Sequence, residues 1–166
     1  MPKKTGLTDK MPNRKYVTVD WAAATTTAVY TQFDTMMGAR EGAGWLISRV
    51  DVGFLGQPPE VGAVVSEMRF QLLTGAQVAP LDADDDEVIA SMDRVIDQSA
   101  GGGQYDWPTS WVGPVLVASR ELTCAMLGSS NVAPFQALSM LFTIWYQWVK
   151  IGSREWVEIA EARGIA

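Results

Sequence analysis

Histidine is absent from the 166 residues, and there is one cysteine, Cys124. The missing imidazole removes Ser-His-Asp and Cys-His nucleophilic catalysis, His-bound zinc and the commonest general base near neutral pH. A single thiol supplies neither a CxxC redox pair nor a thiolate zinc cluster, and it cannot close an intrachain disulfide. Cys124 stands in the apolar run Glu121–Leu127, where a small buried hydrophobe is expected. The carboxylates Asp82, Asp84, Asp85, Asp86 and Glu87 have the oxygens calcium prefers. They lack the alternate spacing, central glycine and distal glutamate of an EF-hand loop, and read as a solvated helix start. Gly101–Gly103 has no Gly-Lys-Ser/Thr ending and reads as a flexible connection rather than a phosphate loop. Asp34-Thr35 lacks the glycine of an aspartic-protease triplet. No catalytic residue, cofactor-binding residue or metal ligand set emerges, so the expectation is a protein that is not an enzyme and takes no cofactor or small-molecule substrate.

What remains for the side chains is packing and contact. Hydrophobic residues make up 48% and charged residues 19% of the chain, which excludes a disordered composition. Seven Trp and eight Met leave two readings open: a Trp-rich core, or apolar surface that neighbouring subunits, a membrane or a ligand would cover. Trp107, Trp111, Trp145 and Trp156 are the candidate interface aromatics. Charge is uneven. The first fifteen residues hold Lys3, Lys4, Lys10, Arg14 and Lys15 against Asp9, on a chain whose net charge is −6. A basic arm on an acidic body favours docking of the arm on a neighbouring subunit first, and on nucleic acid or an internal membrane second. No run of about 18 apolar residues exists to form a spanning helix, and no hydrophobic region follows the N-terminal lysines as in a signal peptide.

The elements that would position these groups are mostly strands. Residues 1–15, with Pro2, Gly6 and Pro12, read as an extended arm ahead of one domain spanning 16–166. From Tyr16, Val17, Val19 and Trp21 alternate with polar neighbours, and Val29, Tyr30 and Phe33 mark a second strand or a continuation of the first after a bend. Trp45–Leu55 is expected to put Leu46, Ser48, Val50, Val52 and Phe54 on one face and Arg49 and Asp51 on the other. Val64–Thr74 is expected to turn Met68, Phe70 and Leu72 inward, with Glu67, Arg69 and Gln71 outward. Residues 84–98 change period: Val88, Ile89, Met92, Val95 and Ile96 fall on one helical face, predicting an inserted amphipathic helix. Two short strands, Val112–Ala118 and Leu122–Leu127, precede a long one, Ala137–Ile151, with apolar residues on both faces; such a strand is central or meets a partner. Ser153 as N-cap, the stripe Trp156, Ile159 and Ala160, and Gly164 predict a short C-terminal helix. Together these elements describe an all-β, two-sheet antiparallel sandwich with one inserted helix and a short C-terminal helix.

A basic N-terminal arm, a compact β-sandwich with a helix in an inter-strand connection, sparse charge and no catalytic residues resemble a small single jelly-roll capsid protein of an icosahedral virus. The resemblance covers Tyr16 to Ile151, and the closing stretch Phe142 to Ala166, a long strand followed by Ser153–Arg163, is also similar to the end of such virion proteins. It implies a jelly roll, a structural role in a self-assembling shell, copies of the chain and other virion proteins as partners, and a place in the virion after assembly in the host cytoplasm. It also implies an arm that contacts neighbouring subunits or the particle interior. The arm's modest charge departs from what direct genome packaging would need. A non-catalytic, carbohydrate-type binding module using Trp107 and Trp111 is the alternative.

Overall fold

The computed structural model describes residues 11–22, 28–36, 42–55, 66–79, 81–82, 84–96, 109–128 and 138–152. Eight strands run through them: β1 (Asn13–Trp21), β2 (Val29–Asp34), β3 (Ala43–Phe54), β4 (Ser66–Thr74), β5 (Val88–Ile96), β6 (Thr109–Val117), β7 (Glu121–Gly128) and β8 (Leu138–Lys150). Each of the first four pairs antiparallel with its counterpart from the other end of the chain: β1 with β8, β2 with β7, β3 with β6, β4 with β5. The chain is thus one long two-stranded ribbon. Wrapped on itself, the ribbon adds the pairings β3·β8 and β4·β7. The result is two four-stranded sheets, sheet I in the order β1-β8-β3-β6 and sheet II in the order β2-β7-β4-β5. This is the jelly-roll arrangement of a two-sheet sandwich.

The core lies between the sheets. Val17, Val19 and Trp21 of β1, Phe142 and Ile144 of β8, and Val50 and Val52 of β3 meet Phe70 and Leu72 of β4 and Leu122, Cys124 and Met126 of β7. Phe70 and Phe142 touch edge to face across the layers, with ring centroids 6.3 Å apart. The alternation expected for β1 and the even positions of β4 is realised, and β8 is an inner strand of its sheet, flanked by β1 and β3.

Two expectations fail because of bulges. The predicted helix over 84–98 is strand β5. Its register against β4 shifts between Leu72 and Leu73, which face Ala90 and Val88, so Ile89 is an extra residue in the ladder. An inserted residue breaks the two-residue alternation and leaves apolar positions at 88, 89 and 92 that mimic a helical stripe. In β3 a second shift, between Ile47 and Arg49, changes which residues face the core. Trp45 and Ile47 are buried ahead of it and Val50 and Val52 after it, whereas Leu46, expected inward, is on the outer face. The predicted C-terminal helix, from Ser153 onward, lies outside the described residues. Arg14 and Lys15, expected in the arm, are strand residues, because β1 begins at Asn13.

Five tryptophans are described, and four of them serve the core. Trp21 and Trp45 are buried, and Trp111 and Trp148 pack against the core cluster. Trp45 stacks on Tyr146 at 3.7 Å and meets Trp148 edge to face at 5.9 Å. Trp145 alone among the five faces away from the core.

Candidate interaction surface on sheet I

Trp145 sits at the centre of a row that crosses the outer face of sheet I. Its register partners are Arg14 on β1 and Arg49 on β3, and Arg49 in turn faces Val112 on β6. The Arg14 guanidinium carbon lies 3.8 Å from the centroid of the Trp145 ring, within cation–π range. On the other side the indole Nε1 donates to Asp51 Oδ2 at 3.0 Å. Asp51 also accepts from Arg49 Nε at 2.5 Å and from Ser110 Oγ at 2.8 Å. Burial would raise the Asp51 carboxyl, but the hydrogen bonds from Arg49, Ser110 and Trp145 and the Arg49 charge outweigh it and hold the group below its ordinary value. The net effect is a fixed line of aromatic and charged groups with no reactive side chain in it.

Apolar residues flank that line in the open. Tyr16 is 55% exposed and Val112 73% exposed. The neighbouring row also takes one residue from each strand, and the pleat alone places Tyr16 beside Thr143, Thr143 beside Asp51 and Asp51 beside Ser110. The sequence had separated Arg49 and Asp51 onto a contact or solvated face, which the structure agrees with. Ser110, a serine 59 positions from Asp51, carries no signal of its own in the sequence until the sheet brings it there.

The outer face of sheet II is occupied by the chain itself. The connection after β4 runs back across β4 and β7: Gln77 N donates to Thr123 Oγ1 at 3.2 Å, Thr123 Oγ1 donates to the Gly75 carbonyl at 2.7 Å, and Gln71 Nε2 donates to the Leu81 carbonyl at 2.9 Å. Gly75 makes the turn with a φ of 73°, a value that favours glycine. Gln71, expected outward, points outward and is nevertheless fully buried, as are Leu73, Thr123 and Ala125. Farther along the same connection, Asp82 and Asp85 close a turn, with Asp82 N donating to Asp85 Oδ2 at 2.7 Å and Asp85 N to the Asp82 carbonyl at 3.1 Å. The acidic run is therefore an exposed turn leading into a strand rather than a helix start. Among the described residues no group of three or more acidic or thiol side chains is placed to hold a metal ion.

The remaining candidates divide as follows. Lys15 lies with its Nζ 5.7 Å from the Phe33 ring centroid, at the rim of the aromatic cluster around Trp45. Trp111 leans over Gly113, where an added Cβ would collide with its ring, and packs inward. Cys124 is fully buried and burial pushes its thiol far up, so it is inert packing. Thr35 of the Asp34-Thr35 pair donates its hydroxyl to the carbonyls of Ser119 and Arg120 at 2.9 and 2.7 Å, tying β2 to the β6–β7 connection. Lys3, Lys4, Lys10, Trp107 and Trp156 lie outside the described residues.

No protein-family model matches the chain, and no curated protein matches it by sequence. Solved structures do match. The VP1 protein of Trichodysplasia spinulosa-associated polyomavirus is similar with a TM-score of 0.53 at 10% identity, over 89% of this chain and 98% of that one. VP1 of KI polyomavirus, in the structure of its unassembled pentamer, is similar with a TM-score of 0.50 at 8% identity, over 89% and 97%. At such identity the likeness concerns the fold alone. The chain shares its eight-strand jelly-roll fold, nearly end to end, with these polyomavirus VP1 proteins.

Proposed function

We propose that this chain is a structural subunit that self-assembles into the shell of a virus particle. The observation that carries the reading is the match of the whole jelly roll to two VP1 structures, one of them a pentamer, with almost nothing of those chains left over. The open outer face of sheet I supports it: a line of ordered aromatic and charged groups flanked by exposed Tyr16 and Val112 suits contact between subunits. Lys3, Lys4 and Lys10 of the arm reach a neighbouring subunit, with genome or internal membrane as second choices. The particle forms in the host cytoplasm, and the subunit performs no catalysis. The carbohydrate-module alternative depended on open faces at Trp107 and Trp111; Trp111 packs against the core, which withdraws part of its support.

Size-exclusion chromatography with light scattering on the full chain, followed by electron microscopy, tests the reading. Closed particles or discrete subassemblies at physiological salt are expected. A monomer that persists at high concentration overturns it. Deleting residues 1–12, which spares β1, tests the arm: unchanged assembly rules out its role.

A further inference from the structure

Four strand edges border the two sheets, and an unpaired edge invites another strand unless something spoils it. The edges belong to β1 and β6 in sheet I and to β2 and β5 in sheet II. Strand β6 carries Gly113 and Pro114 at its register shift against β3, and proline removes a ladder donor. Strand β5 is bulged at Ile89. Strand β2 is only six residues long and is followed by Met36 at a φ of 62°. Strand β1 has none of these features: it runs for nine residues with no proline, no glycine and an unbroken register against β8. Its one inward-pointing charge, Lys15, is turned onto the Phe33 ring.

The sequence of β1 is also complementary to itself. On its outer face Arg14 and Asp20 are exposed near opposite ends, with Tyr16 and Thr18 between them. Both charges are held in place by their own register partners on β8. Arg14 lies over the ring of Trp145, and Asp20 accepts from Ser139 Oγ. An antiparallel copy of the same strand, centred on Val17, sets 14 against 20 and 16 against 18. Opposite charges then meet twice, and the half-exposed Tyr16 lies against a threonine. Groups already fixed before contact lose little freedom on pairing.

We propose that the edge of β1 pairs with β1 of a second copy across a two-fold axis at Val17, placing Arg14 of each copy opposite Asp20 of the other and joining the two copies of sheet I into one eight-stranded sheet. A symmetric, isologous contact of this kind closes on itself as a dimer. It does not depend on the shell reading, because the dimer forms whether or not dimers assemble further.

Charge reversal in the full chain, read by sedimentation velocity over a concentration series, tests it. Arg14→Glu and Asp20→Arg each weaken the dimer at least tenfold. An equimolar mixture of the two variants restores a dimer at least tenfold tighter than either forms alone, since each brings the charge the other now needs. Misfolding cannot produce that rescue. A Tyr16→Cys/Thr18→Cys double variant forms a disulfide-linked dimer on mild oxidation, whereas either single variant does not; the native Cys124 is buried and does not compete. Single reversals that leave the mass distribution unchanged, or a mixture no tighter than its components, overturn the proposal, including the case in which another segment of the same chain covers β1. Particles that form regardless of these reversals sink this contact alone; a charge-sensitive dimer that never grows into particles sinks only the shell reading.

Discussion

On the outer face of sheet II, Leu73, Thr123 and Ala125 are fully buried beneath the chain that follows β4, while on the outer face of sheet I, Leu141, Thr143 and Trp145 stay half-exposed. All six are residues of inner strands, β4 and β7 in one sheet and β8 in the other. The difference therefore comes from what lies on top. Leu73 and Ala125 are absent from the inter-sheet core cluster, so they form a second, thin apolar layer under the connection carrying Gly75, Gln77 and Leu81. Among the described residues, sheet II is closed by its own chain, whereas the outer face of sheet I carries half-exposed polar and aromatic rows.

Paired substitutions on the two faces sharpen the contrast, beginning with the largest effect. Leu73→Ala should cost about 2–5 kcal/mol, the range for a buried leucine truncated to alanine, whereas Leu141→Ala should cost under about 1 kcal/mol. Urea midpoints of the two variants check this, and equal losses would break the comparison. Next, Thr123→Val strips the bonds to Gly75 and Gln77 and should cost about 1–3 kcal/mol. Thr143→Val on sheet I should stay within about 0.5 kcal/mol of wild type.

The acid limb of stability separates the faces in another way. Asp51 titrates lower folded than unfolded. Its contribution is present above the ordinary carboxyl value of about 4 and is lost as pH falls through the folded value. Asp51→Asn should therefore flatten the fall in denaturant midpoint below about pH 4, while leaving the neutral-pH midpoint slightly reduced. Arg14→Ala removes the cation over Trp145 and should cost about 0.5–1 kcal/mol; a change in tryptophan emission without loss of fold would report it.

Much of sheet I was readable from sequence, because β1 alternates cleanly and the apolar residues on both faces of β8 point to a central strand, which it is. The Trp-rich composition was readable only in part: it fills the core at Trp21, Trp45, Trp111 and Trp148 and leaves Trp145 outside. The bulge at Ile89 turned a strand into an apparent helix, and the register shift after Ile47 misplaced the residues of β3 ahead of it, with Trp45 and Ile47 inward in place of Leu46. A one-residue insertion leaves no mark in composition yet reverses every position beyond it. The closure of sheet II was hidden for a related reason. Gln71 reads as a solvated outward residue, and only the return of the chain to place the Leu81 carbonyl 2.9 Å from its Nε2 makes it interior. The Asp51 site likewise gathers β3, β6 and β8, whose residues lie 59 and 94 positions away.

Under the self-assembly proposed above, the outer face of sheet I, and not that of sheet II, meets another copy. Hydroxyl-radical footprinting across a concentration series measures it directly, with Tyr16 and Trp145 reporting on sheet I and Tyr30 on sheet II. Tyr16 and Trp145 should lose reactivity as the protein associates while Tyr30 stays constant. Protection of Tyr30 with Tyr16 and Trp145 unchanged would contradict it.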